Sequence, residues 1–190
     1  MDSEQEFRNL AVELSVNAEN NVADAIGLLH RDEKGILRDN FSNSRVIVFS
    51  CSAYRSMCDA LYDQFQSGAG IILYRMGEGY GKKLVKGIPS LGLSREEMLR
   101  ALEKIAYLAG WGKIVLSVEN PKLAEATVED SPFKLRRDDI GSVSCHFMSG
   151  VLAGGASELF SDEFKVQETK CASKGEHQVC RFKIFAKDSE

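Results

Sequence analysis

The stretch Glu168-Thr-Lys-Cys171-Ala-Ser-Lys-Gly175-Glu-His177-Gln-Val-Cys180-Arg-Phe182 decides how the end of this chain folds. Two arms of strand composition surround a polar turn, Ala172 to His177, that contains Gly175, which is the pattern of a closing hairpin. Folded so, the hairpin brings Cys171 and Cys180 together at its tip, and two thiolates are half of a tetrahedral metal site. Glu168 sits three residues before Cys171, close enough for the strand end to supply an oxygen, and Cys145 enters from the preceding helix as a fourth donor. Three soft thiolates with one carboxylate suit zinc better than magnesium or calcium, which demand oxygen ligands. A closed four-ligand site leaves no position for a substrate, so its role is expected to be structural. Three free cysteines, a Cys171–Cys180 disulfide, or His177 in place of Glu168 are the other readings of the same residues.

Upstream, a helix is expected from about Ile140 to Phe160, with Val143, Phe147, Val151 and Leu159 apolar and Gly150, Gly154 and Gly155 small. Lys113 to Val118 alternates as a half-buried strand, Asn120-Pro121 offers a turn, and a weaker strand follows near Ala124 to Val128. Ser94 and Glu97 form a capping box before a helix bearing Met98, Leu102, Ile105 and Ala109, closed by Gly110. Arg45 to Phe49 reads as a strand. A helix carrying Tyr54, Met57, Cys58, Leu61 and Phe65 follows, with Ser52 placed to cap it and Gly68 to end it. Gly70 to Tyr74 reads as a strand running into the glycine-rich segment Gly77 to Gly81 and then a basic helix. Helices interleaved with hairpins give an α+β class on a mostly antiparallel sheet. Phe7 to about Leu29 is amphipathic and helical in period, so residues 1–34 are expected to form a helical extension and residues 35–190 a ligand-binding domain. The extension could lie on its own domain or pair with a second copy.

The chain has 190 residues, a net charge of -4 and five cysteines. That charge, with Lys and Arg spread along the sequence, leaves no basic footprint for nucleic acid. The acidic start, Met1 to Glu6, does not resemble a secretory signal, and no apolar run approaches the roughly 20 residues of a membrane span, so a cytoplasmic location is expected. An odd cysteine count in a chain of this size favours metal binding or burial over a disulfide framework.

Glu168-Thr-Lys-Cys171, Gly175 and Cys180-Arg-Phe182, together with Cys145-His-Phe-Met-Ser-Gly150 and Gly154, resemble the signature of the 4-vinyl reductase (4VR) domain family. The resemblance runs from about Arg45 to Lys187 and is specific from Cys145 onward. It implies a fold shared with the sensory domains of phenol- and xylene-responsive activators, with a vesicle-tethering component and with haem-based gas sensors. It also implies a zinc site of one cysteine, then a glutamate and two cysteines, matching Cys145, Glu168, Cys171 and Cys180. The expected function is a zinc-containing sensor or carrier for a small apolar or aromatic molecule, a homodimer acting through a separate output partner. A tetrapyrrole vinyl reductase or accessory factor, or an assembly subunit like the tethering component, are the competing functions; no dinucleotide fingerprint or catalytic constellation accompanies them.

Other motifs carry less. Gly77-Glu-Gly-Tyr-Gly81-Lys82-Lys83 is one residue short of a phosphate loop, and Lys83 replaces the hydroxyl that would hold magnesium. Cys145 and His146 are neighbours whose side chains diverge on a helix, so they do not form a catalytic pair. Cys51 and Cys58 read as core cysteines, His30 as a helix end, and Trp111 as a cover for the sheet or a cavity wall.

Overall fold

The computed structural model describes residues 29–40, 43–88, 93–135, 144–174 and 179–187. The helix expected from Phe7 falls outside them, apart from its last residue. The chain divides into two compact units, residues 1–48 with 87–110 and residues 49–86 with 111–190.

In the first unit, β1 (Leu29–Arg31) pairs antiparallel with β2 (Leu37–Asp39). The Asp32 carboxylate closes their turn by accepting from the amides of Lys34 (3.0 Å) and Ile36 (2.9 Å), while Gly35 takes a positive φ of 76°. His30 therefore lies in a strand rather than ending a helix, and its Nδ1 bonds Asn40. The strand expected at Arg45 to Phe49 is reduced to one bridge, Arg45 to Arg38. Its residues Ile47, Val48 and Phe49 are exposed and have no ladder neighbour to fix them as a strand. The Ser94–Glu97 capping box forms as the sequence requires and starts α3 (Arg95–Leu108).

The second unit holds the candidate site. Helix α1 (Cys51–Phe65) is capped by Ser50, whose Oγ accepts from the Ala53 amide at 3.1 Å; Ser52 instead shares a hydrogen bond with the Ser50 hydroxyl. The chain turns at Gln66, and Gly68 begins the next helix instead of ending this one. That next helix, α2 (Gly68–Gly87), overturns the strand expected at Gly70 to Tyr74. Ala69, Leu73, Gly77, Gly81 and Val85 are all buried at four-residue steps, so helical periodicity outweighs the local preference of Ile71 and Ile72 for strand. Gly77 to Gly81 accordingly lies in mid-helix rather than at a helix start.

Strands β3 (Lys113–Asn120), β4 (Leu123–Glu129), β5 (Phe164–Lys170) and β6 (Val179–Ala186) form an antiparallel sheet of order β3-β4-β6-β5. Alternation sets the buried face. Ala124, Ala126 and Val128 of β4 and Cys180, Phe182, Ile184 and Ala186 of β6 point inward, while Glu125, Arg181 and Lys183 face water. Helix α4 (His146–Phe160) crosses from β4 to β5 and packs on β5 and β6. Residues 136–143, where its start was expected, are not described, and the helix begins at His146 with Cys145 as its N-cap.

Four glycines set α4 against α2. A Cβ on Gly77 would stand 2.1 Å from the Phe147 carbonyl oxygen, and one on Gly81 2.2 Å from that of Val151. In return, Gly150 would meet the Tyr74 oxygen at 2.0 Å and Gly154 the Glu78 oxygen at 2.1 Å. The two helices thus touch backbone to backbone, which no residue with a side chain at these positions allows. This contact fixes α4, and with it Cys145.

Candidate metal centre

Each of the four cysteine and glutamate side chains singled out in the sequence arrives from a different point of the fold. Cys145 caps α4, Glu168 lies near the end of β5, Cys171 follows β5 directly, and Cys180 is in β6. The alternation of β6 turns Cys180 inward with Phe182, and a register shift between Glu168 and Lys170 lets the end of β5 depart from the ladder just before Cys171. One ligand atom from each residue lies within 4.8 Å of all the others; the three cysteines are buried, and Glu168 is only 8% exposed.

The sulfur spacing fits a metal better than a disulfide. Cys145 Sγ is 3.6 Å from Cys180 Sγ and 4.0 Å from Cys171 Sγ, and all five cysteines are free. A disulfide needs about 2.0 Å. Sulfurs at the corners of a tetrahedron about 2.3 Å from a central ion lie about 3.8 Å apart, which the two distances bracket.

Glu168 is oriented by the start of α4. Its Oε2 accepts from the backbone amides of Ser144 (3.0 Å) and Cys145 (2.9 Å), the donors that a helix N-terminus leaves free. Its Oε1 is buried with no hydrogen-bond partner among the described residues. An orphaned buried carboxylate oxygen costs on the order of 1–3 kcal/mol, so this atom calls for a ligand beside the three sulfurs.

Electrostatics point the same way. Four anions cannot share so small a dry volume without a cation among them, and the donors respond by holding protons. Burial pushes the Glu168 carboxyl up to about 8, against the pull of its bond from the Cys145 amide. The Cys145 thiol is driven up by its contacts with Cys171 and Cys180, and then by burial. Cys180 is drawn down by Cys145 but raised further by Cys171 and burial, to about 11. Only Cys171 is lowered, because Cys145 and Cys180 both donate to it. A divalent cation would replace these protons and free all four donors at once.

Around the donors stands a layer of small hydroxyls that the sequence alone did not single out. Ser144 Oγ bonds Cys171 Sγ at 3.2 Å and Ser173 Oγ at 3.0 Å, and accepts from the Leu135 amide at 3.2 Å. Ser173 Oγ lies 3.1 Å from Cys171 Sγ, the Ala172 amide donates to Cys180 Sγ at 3.4 Å, and the Cys145 thiol reaches Ser131 Oγ at 4.0 Å. Groups of this kind orient metal ligands and temper their charge. Their only sequence signal is position: Ser144 and Ser173 are neighbours of ligand cysteines.

The remaining candidates disperse. His177 is not among the described residues, Cys51 is exposed, and Cys58 is buried in an apolar cluster with Tyr62, Ala69, Leu73 and Leu135. His146 points away from the donors, against Gly70. Trp111 joins an aromatic group that spans α1, α2, α4 and the segment after β4. Its ring centroid is 5.1 Å from Phe133 and 5.7 Å from Tyr80, while Phe147 lies 5.0 Å from Phe133 and 6.1 Å from Tyr54. These rings are only partly buried, and Tyr80 is 43% exposed.

Residues 124–185 match the model of the vinyl-4-reductase (V-4-R) domain family, a span that contains all four donors. An uncharacterized protein of Methanocaldococcus jannaschii is 26% identical over 125 residues, 64% of this chain and 69% of that protein. The crystal structure of the phenol-responsive sensory domain of the transcription activator PoxR with phenol has a TM-score of 0.74 at 21% identity, covering 96% of this chain and 91% of its own. A vinyl-4-reductase family protein from Methanocaldococcus jannaschii has a TM-score of 0.50 at 24% identity, covering 74% and 83%. At these identities the two structures establish the fold alone. Among the described residues, no helix is long and apolar enough to cross a membrane.

Proposed function

With residues 124–185 belonging to the vinyl-4-reductase domain family, we propose that this chain is a zinc-stapled domain that binds a small apolar or aromatic molecule, as a sensor or carrier. The observation that carries the metal assignment is the buried, unpartnered Oε1 of Glu168 beside three clustered cysteine sulfurs. Cys145, Glu168, Cys171 and Cys180 hold the zinc. When bound, the ion supplies a closed structural cross-link and no reactive position.

The chain's own residues transmit that cross-link. It ties β5 and β6 to the first residue of α4, and the glycine contact ties α4 to α2. Phe147 and Tyr80, on those two helices, are walls of the aromatic group, so its geometry depends on the metal centre two residues from Phe147. Partly exposed rings of this number, held edge to face, suit an aromatic guest. The PoxR domain is described with phenol, and its fold likeness agrees with that ligand class. The domain would act in the cytoplasm as a homodimer and pass its state to a separate output partner.

Native mass spectrometry of the purified chain tests the metal and the dimer together. One zinc per chain in a dimer is expected, with zinc lost in Cys171→Ser and kept in Cys51→Ser. A chain free of metal after zinc is supplied would overturn the assignment. Trp111 is the single tryptophan, and it stands in the aromatic group, so its fluorescence reports the ligand site. Phenol as a probe should change that emission saturably; a strictly linear response up to millimolar concentration would remove the aromatic site.

A further inference from the structure

Helix α2 carries three kinds of surface. Gly77 and Gly81 face α4, Tyr80 faces the aromatic group, and a third stripe, Ile71, Tyr74, Arg75, Glu78 and Lys82, lines a cleft of about 710 Å³. At 100° per residue, Tyr80 lies on nearly the opposite side of the helix from the middle of that stripe. None of the aromatic group's rings lines the cleft, whose other wall comes from the end of α4 and from β5.

The cleft's chemistry is unlike that of the aromatic group. Arg75, Lys82, Lys165 and Lys187 line it against two carboxylates, Glu78 and Glu163, an excess of two positive charges. Glu78 is held by Arg75 at 2.7 Å and by Lys82 at 3.0 Å, and Glu163 by Lys187 at 2.5 Å. The charges feel one another across the opening. Lys187 and then Lys82 draw the Glu163 carboxyl down, while Glu78 opposes them. Below this rim the floor is apolar or aromatic: Tyr74, whose hydroxyl is bonded to the Val166 backbone, with Val166 itself and the buried Phe164. Ile71, at 69% exposed, adds an apolar side chain facing solvent. A concave wall of one net sign over an apolar floor concentrates ligands of the opposite sign that carry an apolar body.

We propose that this cleft is a second ligand site, which binds small organic acids by placing a carboxylate among Arg75, Lys82, Lys165 and Lys187 and an apolar body on Tyr74, Phe164 and Val166. The carboxylate gains charge-assisted hydrogen bonds from cations that outnumber the acids around them. The site stands apart from the zinc and the aromatic group, so it does not depend on either assignment.

The test is calorimetry on the full chain with hexanoate and its neutral counterpart 1-hexanol as probes. Hexanoate should bind at least about tenfold more tightly than 1-hexanol, and raising salt from about 50 to about 500 mM should weaken hexanoate but not 1-hexanol. Lys165→Gln with Lys187→Gln should weaken hexanoate at least about fivefold at unchanged zinc content, in keeping with two lost charge-assisted contacts. Phenol should not displace hexanoate. Equal affinities for the two probes, no hexanoate binding at millimolar concentration, or displacement by phenol would overturn the proposal. If the double variant does not fold, the salt response of the unaltered chain decides, and a flat response overturns it.

Discussion

Replacing Gly81 by alanine strikes the backbone contact between α2 and α4. The added Cβ would lie 2.2 Å from the Val151 oxygen and 2.9 Å from the Gly155 nitrogen, all backbone atoms that no rotamer change can move. To restore an ordinary contact the helices must separate by about 1 Å, and overpacking of a tight core typically costs about 1–3 kcal/mol. Rigid backbone on both sides places this substitution near the top of that range. Alanine recovers about 1 kcal/mol of helix propensity, which leaves a net loss of about 2 kcal/mol. For a chain of this length, that lowers Tm by about 4–8 °C. Gly79→Ala is the internal control, since a Cβ there meets nothing within 4 Å in the same helix. It should raise stability by up to about 1 kcal/mol. Thermal and urea melts of both variants read the difference, and a Gly81→Ala protein as stable as Gly79→Ala would mean that the helices do not touch as described.

Glu168→Gln should lower zinc content while the fold persists, because the amide can still accept from the Ser144 and Cys145 amides but brings a neutral donor among the sulfurs; unchanged zinc would remove Glu168 from the ligand set. Zinc should protect the fold at pH 8 and lose that effect by about pH 5, since the donors must be deprotonated, and melts with and without chelator measure it. The metal-free chain should behave differently. The raised Glu168 makes the folded state hold a proton that the unfolded state lacks between 4.5 and about 8, so its stability falls with pH there. The lowered Cys171 does the reverse over the same window, and the two cancel; a steep slope in metal-free melts would contradict that pairing. Ser144→Ala removes a hydroxyl from Cys171 Sγ and from the Leu135 amide, and should weaken zinc retention against a chelator by about 10-fold without abolishing it.

The site was more legible than the fold around it. Cys145, Glu168, Cys171 and Cys180 could be named because a hairpin places Cys171 and Cys180 together by local geometry, and the family signature supplies the other two. The hydroxyls of Ser131, Ser144 and Ser173 could not, since serines are common and their convergence depends on α4 meeting β5 and β6. Strands β3, β4 and β6 were legible from alternation, and α3 from its capping box. Gly70 to Tyr74 misled because Ile71 and Ile72 carry strand preference in a window of five residues. The deciding signal was the four-residue recurrence from Ala69 to Val85, where glycine stands at positions that usually hold larger apolar residues. Likewise, the partnership of Gly77 and Gly81 with Gly150 and Gly154 pairs segments about 70 residues apart.

Zinc-edge X-ray absorption on the purified chain reads the coordination shell itself. Three sulfurs at about 2.3 Å and one oxygen at about 2.0–2.2 Å are expected, the shell that Cys145, Cys171, Cys180 and Glu168 would provide. A shell of nitrogen and oxygen only, or one with fewer than three sulfurs, would show that the ion binds elsewhere and that this cluster is not the metal centre.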